Sequence, residues 1–406
     1  MVHEVWVRGP NGMDAASRVT RPGCRAVLIV VPTMTAGTRL LELVSLLEPD
    51  LRVQVVFTVP HGNDRWYGVA EYVRAQHGLV LPWEQAARHR FDLVLAASHR
   101  QLDQVRGPVL LVGHGVGQVG QRRFSRKACG ATVETTGLDR ELLTYRGRVL
   151  PSVLGLGTEA ELDLLRERCP EAVPTAVVAG DLCLDGMRAA AGLRERYRSA
   201  LGVGSRQLVV LSSTWFTDSA FGSAPQLYAA VVDALPRDRY AVAAVLHPNV
   251  WAVHGRRQVA AWLGGCRDAG LLVIPPERGW QATMIAADWV IGDHGSTTGY
   301  AAALGRPVTL AAEPDGRPKA GSVADVVQAH VKRLDPDRSF EHQAAAAAAV
   351  APRLAAAVLP VVSTRVDQSA GILRAAMYRL LELSEPQTAA RPPLPAVPRP
   401  LPGWDG

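Results

Sequence analysis

The chain of 406 residues is short of lysine, of aromatic residues and of any paired cysteine motif. Lysine stands only at Lys127, Lys319 and Lys332, so arginine carries nearly all of the basic charge. With the abundant alanine, this reads as the codon bias of a high-GC genome before it reads as a binding surface. The net charge of +6 is diffuse, and aromatics make up only 6% of residues with no basic stripe interleaved among them. Nucleic-acid binding is therefore not expected.

Five cysteines (Cys24, Cys129, Cys169, Cys183, Cys266) are scattered and odd in number, with no Cys-x-x-Cys. That argues against a zinc site or disulfide framework and for a reducing compartment. No His/Asp/Glu cluster has metal-ligand spacing; Asp335-Pro-Asp337 mimics a D-x-D metal pair but reads as a solvated turn. No metal and no other cofactor is expected. The opening residues Met1 to Trp6 lack a basic leader and a cleavable apolar core, and the early apolar run from Ala26 to Pro32 is too short to span a bilayer. The expectation is a cytoplasmic protein. Contact with the inner face of the membrane stays open, although arginine-bearing helices are more often solvated faces.

What is present is enough apolar residue, 48% of the chain, for two cores. Arg25 to Val31 is a continuous aliphatic run of the kind buried on both faces of a parallel sheet. Val53 to Val59, Phe91 to Ala97, Val109 to Val112, Arg148 to Leu154 and Thr175 to Val178 read as further strands with helices between them. A second αβ series runs from Gln207 through Tyr240 to Leu246 and Leu271 to Ile274, then to Trp289 to Ile291 and the strand after Pro307. The fold expected is α/β, with two Rossmann-like doubly wound domains facing across a cleft.

The expected division is a loose leader (1–22), an acceptor-side domain (23–178) and a hinge helix (179–205), followed by a nucleotide-donor domain (206–340). C-terminal helices (341–384) and a disordered Pro-rich tail (385–406) complete it.

Chemistry concentrates at strand ends. Ser212 to Trp215, His247-Pro-Asn249, Pro275 to Glu277 and Gly292 to Thr298 each follow an apolar run, and in a doubly wound sheet such ends share one rim. The last stretch is a strand, then Gly295-Ser296-Thr297-Thr298, then a small-residue helix. Unpaired N–H groups at a helix start, flanked by hydroxyls, hold phosphate without lysines; the commoner role for Ser296 or Thr297 is simply an N-cap. Ser213, Thr214, His247, Asn249, Asp293, His294, Gly295, Ser296, Thr297 and Thr298 are therefore the candidate nucleotide and phosphate ligands.

In the first half, Gly115 to Gly120 matches G-x-G-x-x-G, but it follows a late strand and lacks a packed helix after it. Gly113 to Gly117 has the shape of a nucleophile elbow with glycine where serine must stand. His114 remains, an imidazole at a strand end that could take a proton from an acceptor hydroxyl; a purely structural loop histidine is the competing reading.

Ser213-Thr214-Trp215, His247-Pro-Asn249, Asp293 to Thr297 with Pro307, and Gly113-His114-Gly115 together resemble the CDP-glycerol glycerophosphotransferases of teichoic acid synthesis. That family sits within the wider group of GT-B glycosyltransferases and UDP-N-acetylglucosamine 2-epimerases. The order and spacing agree from Val109 to Ala311. The family's Trp-His-Gly reads Gly113-His114-Gly115 here, and its Asp-Tyr-Ser-Ser reads Asp293-His294-Gly295-Ser296. The resemblance implies a transferase that moves glycerol phosphate or a sugar from a nucleotide-diphosphate donor to a hydroxyl acceptor in cell-wall or cell-surface polymer synthesis. It implies His114 as base and His247 as a diphosphate donor group. Two alternatives stay open. An epimerase would need cleft carboxylates, for which Glu277 and Asp293 are the second-domain candidates. A non-catalytic nucleotide-sugar-binding scaffold would fit the altered motifs.

Overall fold

A computed structural model of the chain describes residues 6–7, 20–61, 66–116, 122–123, 134–316 and 318–402. The chain forms two compact units. The first draws on Met1–Gln118, Thr135–Cys183 and Arg365–Pro393, and the second on Val119–Glu134, Leu184–Thr364 and Leu394–Gly406.

The first unit is built on a parallel sheet of β1 (Arg25–Val30), β2 (Val53–Thr58), β3 (Leu79–Leu81), β4 (Leu93–Ala96), β5 (Val109–Val112), β6 (Val153–Leu156) and β7 (Ala176–Val178). Their order is β7-β6-β5-β4-β1-β2-β3. Both faces are covered, so the strands read as near-continuous aliphatic runs: Val27, Leu28, Ile29, Leu93, Val94 and Leu95 are wholly buried. The strand expected at Arg148 to Leu154 lies at Val153–Leu156 instead. Arg148 and Val149 pair antiparallel with Tyr145 and Thr144 in a small ribbon, where polar Arg148 stays in solvent.

The helix Ser369–Leu380 returns late in the chain to this unit, setting Leu373, Met377 and Tyr378 into its core beside Leu40 and Leu43. The Tyr378 hydroxyl donates to Asp50 at 2.7 Å. Arg52, bonded to the same carboxylate, holds Asp50 well below the usual carboxylate range.

The second unit carries the parallel sheet β8 (Gln207–Ser213), β9 (Tyr240–Leu246), β10 (Leu272–Ile274), β11 (Trp289–Gly292) and β12 (Val308–Leu310) in the order β10-β9-β8-β11-β12. The strand order reverses between β8 and β11, which is where a doubly wound sheet opens a crevice at its carboxyl ends. At the opposite end Asp288 locks the sheet to the helix Arg194–Ala200. It accepts from Arg198 at 2.7 Å and from the Leu208 N–H at 2.7 Å. Within the expected hinge helix (179–205) the chain forms Leu182–Ala189, a 3-10 turn and Arg194–Ala200.

The helix Phe340–Val362 is long and apolar enough to cross a membrane by length and composition. It docks through Phe340, Ala351, Leu354, Val358 and Val362.

The Pro-rich stretch takes neither helix nor strand, as its missing N–H donors dictate. Its described part makes hydrogen bonds to the second unit. The Pro395 carbonyl accepts from the Tyr197 hydroxyl at 3.0 Å, and the Leu401 N–H donates to the Val273 carbonyl on edge strand β10 at 2.8 Å. Prolines lower the entropy lost on fixing an extended chain, so a few contacts suffice to hold it.

Candidate functional site

In the second unit, β8 pairs with β11 so that Val209 lies opposite Trp289 and Leu211 opposite Ile291. That register brings Ser212, Ser213 and Thr214 alongside the turn that starts at Gly292. The helix after this turn, Ser296–Ala303, has Gly295 as its N-cap and no side-chain cap. Neither Ser296 nor Thr297 is the N-cap, and the positive end of the helix dipole carries no side-chain cap. Glycine is required at this position. A Cβ on Gly295 would stand 2.9 Å from Thr214 Cβ and 3.0 Å from an Asp293 carboxylate oxygen.

Asp293 is 1% exposed and serves as the knot of the turn. One of its oxygens accepts from the Thr214 N–H and the Ala220 N–H, each at 2.9 Å, and from the Ser213 hydroxyl at 3.2 Å. The other accepts from the Gly295 N–H at 2.9 Å. Burial pushes its pKa up, while His294 and these backbone donors pull the other way. Ser213, 2% exposed, also accepts from the Phe221 N–H. Asp293 and Ser213 were expected among the phosphate ligands. The Asp293 carboxylate and the Ser213 hydroxyl are bonded within the fold, so both brace the site rather than offer a free donor to phosphate. Thr298 faces inward as well, its hydroxyl accepting from the Asp293 N–H at 3.2 Å. Thr297 shares a 2.6 Å hydroxyl contact with Ser212. That leaves Thr214, His294, Gly295, Ser296 and Thr297 partly exposed along the rim.

His247 closes β9 and caps the helix Pro248–His254, its Nδ1 accepting from the Asn249 N–H at 3.0 Å. An accepting Nδ1 puts the ring proton on Nε2. Burial depresses its pKa to about 4, so the ring is a neutral N–H donor at pH 7. Asn249 itself is 7% exposed, and its contribution here is its backbone N–H. Trp215 lies nearly parallel to His247, with ring centroids 6.1 Å apart, and Phe216 stacks on Trp215 at 3.7 Å.

The sequence reading missed Phe216. It is 60% exposed and holds φ at 91°, a backbone conformation that an aromatic residue rarely adopts. The Ser219 hydroxyl donates to its carbonyl at 2.8 Å and fixes the turn. Asp218, also missed, accepts from the Asp315 N–H at 3.0 Å and ties this loop to the one after β12. The only sequence signal for either residue was their position just past a strand end.

In the first unit, His114 follows β5. Its Nδ1 is 3.1 Å from the Ala97 carbonyl oxygen. A carbonyl can only accept, so Nδ1 carries the proton and Nε2 keeps its lone pair. The two imidazoles thus have opposite tautomers: His114 presents a base and His247 a donor. Gly117 to Gly120, the second half of the dinucleotide-like motif, lies outside the described residues.

Of the carboxylates an epimerase would use, Asp293 is engaged as above, and Glu277 pairs with Arg256 through one oxygen while its other oxygen is buried with no partner among the described residues. Asp335-Pro-Asp337 is a turn, with the Asp337 N–H donating to Asp335 at 3.1 Å. Among the described residues no group of three or more His, Cys, Asp or Glu side chains could hold a metal ion.

No protein-family model matches the chain, and no curated protein matches it in sequence. Solved structures do match. The wall teichoic acid polymerase TagF aligns with a TM-score of 0.55 at 9% identity, over 88% of this chain and 89% of that one. TagF soaked with CDPG gives a TM-score of 0.56 at 9% identity over 88% of each chain. MnaA of S. aureus, in a co-structure with UDP, gives 0.52 at 14% identity, covering 90% of this chain and 99% of its own. At such identities the likeness speaks for architecture: the chain has the two-domain α/β fold of the GT-B glycosyltransferases and sugar-nucleotide epimerases.

Proposed function

We propose that the protein is a GT-B-like transferase that takes a group from a nucleotide-diphosphate-activated donor and passes it to a hydroxyl acceptor. The observation that carries this reading is the helix start at Gly295–Thr297. It lacks a side-chain cap and lies at the strand-order reversal of the second sheet, on the same rim as His247, whose Nε2 bears a proton. The uncapped helix dipole suits a diphosphate, and a neutral donor suits charge that grows on a departing nucleotide. That TagF has been soaked with CDPG and MnaA solved with UDP supports a nucleotide-bearing donor.

In the proposed step, His114 Nε2 takes the proton of the acceptor hydroxyl, and the acceptor oxygen bonds to the electrophilic atom of the donor. If glycerol phosphate is the group, the oxygen attacks the β-phosphorus, the bond from that phosphorus to the bridging oxygen breaks, and a nucleoside monophosphate leaves. If a sugar is the group, attack is at the anomeric carbon and a nucleoside diphosphate leaves. His247 donates to the phosphate oxygens in either case. No metal takes part in this proposal, because the helix terminus and the imidazole supply the positive end.

The test is product analysis with CDP-glycerol and with UDP-sugars. Release of CMP or of UDP with acceptor present identifies the transferred group. His114→Ala is expected to abolish release while leaving nucleotide affinity within about twofold of wild type. Wild-type rates in His114→Ala would remove that residue from the mechanism.

A further inference from the structure

A depression in the second unit lies beside the helix start and is lined by Asp293, His294, Gly295 and Thr298 on one side. Pro314, Val323 and Gln328 form part of the other. His294 stands where the family motif has tyrosine. Its Nδ1 is buried and has no hydrogen-bond partner among the described residues. Its Nε2 is 3.9 Å from an Asp218 carboxylate oxygen, with both side chains 19% exposed.

A buried ring nitrogen without a partner is costly unless something else fills its valence. Resting contacts do not explain it. Asp293 in the same turn is committed to its own donors, and the lining residues of the helix Val323–His330 (Val323, Ala324, Val327, Gln328) carry no charge. Asp218 is the carboxylate nearest Nε2, and Asp293 also acts on the ring through its charge. On the loop after Pro314, the Lys319 ammonium is also buried and has no partner among the described residues.

We propose that His294 is a donor-phosphate ligand that works as an imidazolium, with Nε2–H directed to Asp218 and Nδ1–H to an anionic oxygen of the bound nucleotide. This rests on the transferase reading above and adds to it a ligand found in this chain and not in the family motif. Asp218 acts as the positioning residue, since it touches His294 and not the ligand. The consequence is linkage: if the bound anion favours the protonated ring, binding takes up protons, and affinity for a nucleoside diphosphate rises as pH falls.

The experiment is calorimetric titration of the full chain with CDP and UDP at several pH values, in buffers of differing ionisation enthalpy. His294→Asn can still donate but does not titrate. His294→Tyr restores the motif residue and serves as the second variant if the first fails to fold. Protonation of the nucleotide itself is common to all three proteins and cancels in the difference. Wild type is expected to take up more protons than either variant and to bind roughly tenfold more tightly near pH 6. Asp218→Asn should reduce the excess. Equal proton uptake and equal affinity in wild type and variants overturn the role of His294 and leave the donor reading standing. Failure of wild type to bind either nucleotide overturns the donor reading itself.

Discussion

His247 shows how one partly buried side chain reports on both stability and chemistry. Its folded pKa is about 4 against an ordinary 6.5, so the folded protein binds the proton less readily than the unfolded chain. The stability this contributes is complete above pH 6.5 and is lost as pH falls from 6.5 toward 4. It amounts to at most about 3 kcal/mol. Urea midpoints measured between pH 7.5 and 4 should fall in wild type, with a shallower fall in His247→Gln; parallel curves would show that the ring titrates normally. In turnover, His247→Ala should lower the rate by about 10²–10³-fold, the usual cost of a lost charge-stabilising donor. Gly295→Ala tests the turn: the added methyl meets Thr214 and Asp293, so nucleotide affinity is expected to drop while the distant core is unaffected.

At the scale of elements, the C-terminal pieces contribute stability out of proportion to their length. Leu373 is 3% exposed in the core of the first unit, and Leu373→Ala should destabilise it by about 2–5 kcal/mol. Removing residues 394–406 takes away the Pro395 and Leu401 contacts and uncovers edge strand β10. A lower melting temperature and faster aggregation are expected, whereas an unchanged melting curve would mean that the stretch is idle.

The same elements show what the sequence could convey. Long aliphatic runs such as Arg25–Val30 and Tyr240–Leu246 were legible because burial on both faces leaves no polar residue to confuse the pattern. Leu79–Leu81 was not, since three residues carry no periodicity. The contacts of the proline stretch were not legible, because composition speaks to backbone entropy and is silent about its bonds to Tyr197 and Val273. The site was legible as a set of strand ends. The division of labour within it was not: Asp293 and Ser213 are fully buried and brace while Ser296 and His294 stay partly exposed, a split that depends on burial and register. Phe216 and Asp218 depend on the loop's path, which no local propensity encodes.

For the whole molecule, fold and chemistry rest on different grounds. Two doubly wound sheets, the late return of Ser369–Leu380 to the first unit and the likeness to TagF and MnaA give the GT-B architecture. The proposed chemistry rests on one helix start and two histidines of opposite tautomer. The most direct measurement is a thermal-shift panel with CDP, UDP, GDP and CMP, each with magnesium and with EDTA, on wild type and Ser296→Ala. A ligand that binds only the folded state at a hundredfold over its dissociation constant stabilises by about 2.7 kcal/mol, enough for a clear shift. The account predicts a rise with one class of nucleotide that is equal with magnesium and with EDTA and is diminished in Ser296→Ala. No rise with any of the four, or a rise that requires magnesium and is the same in the variant, would contradict it.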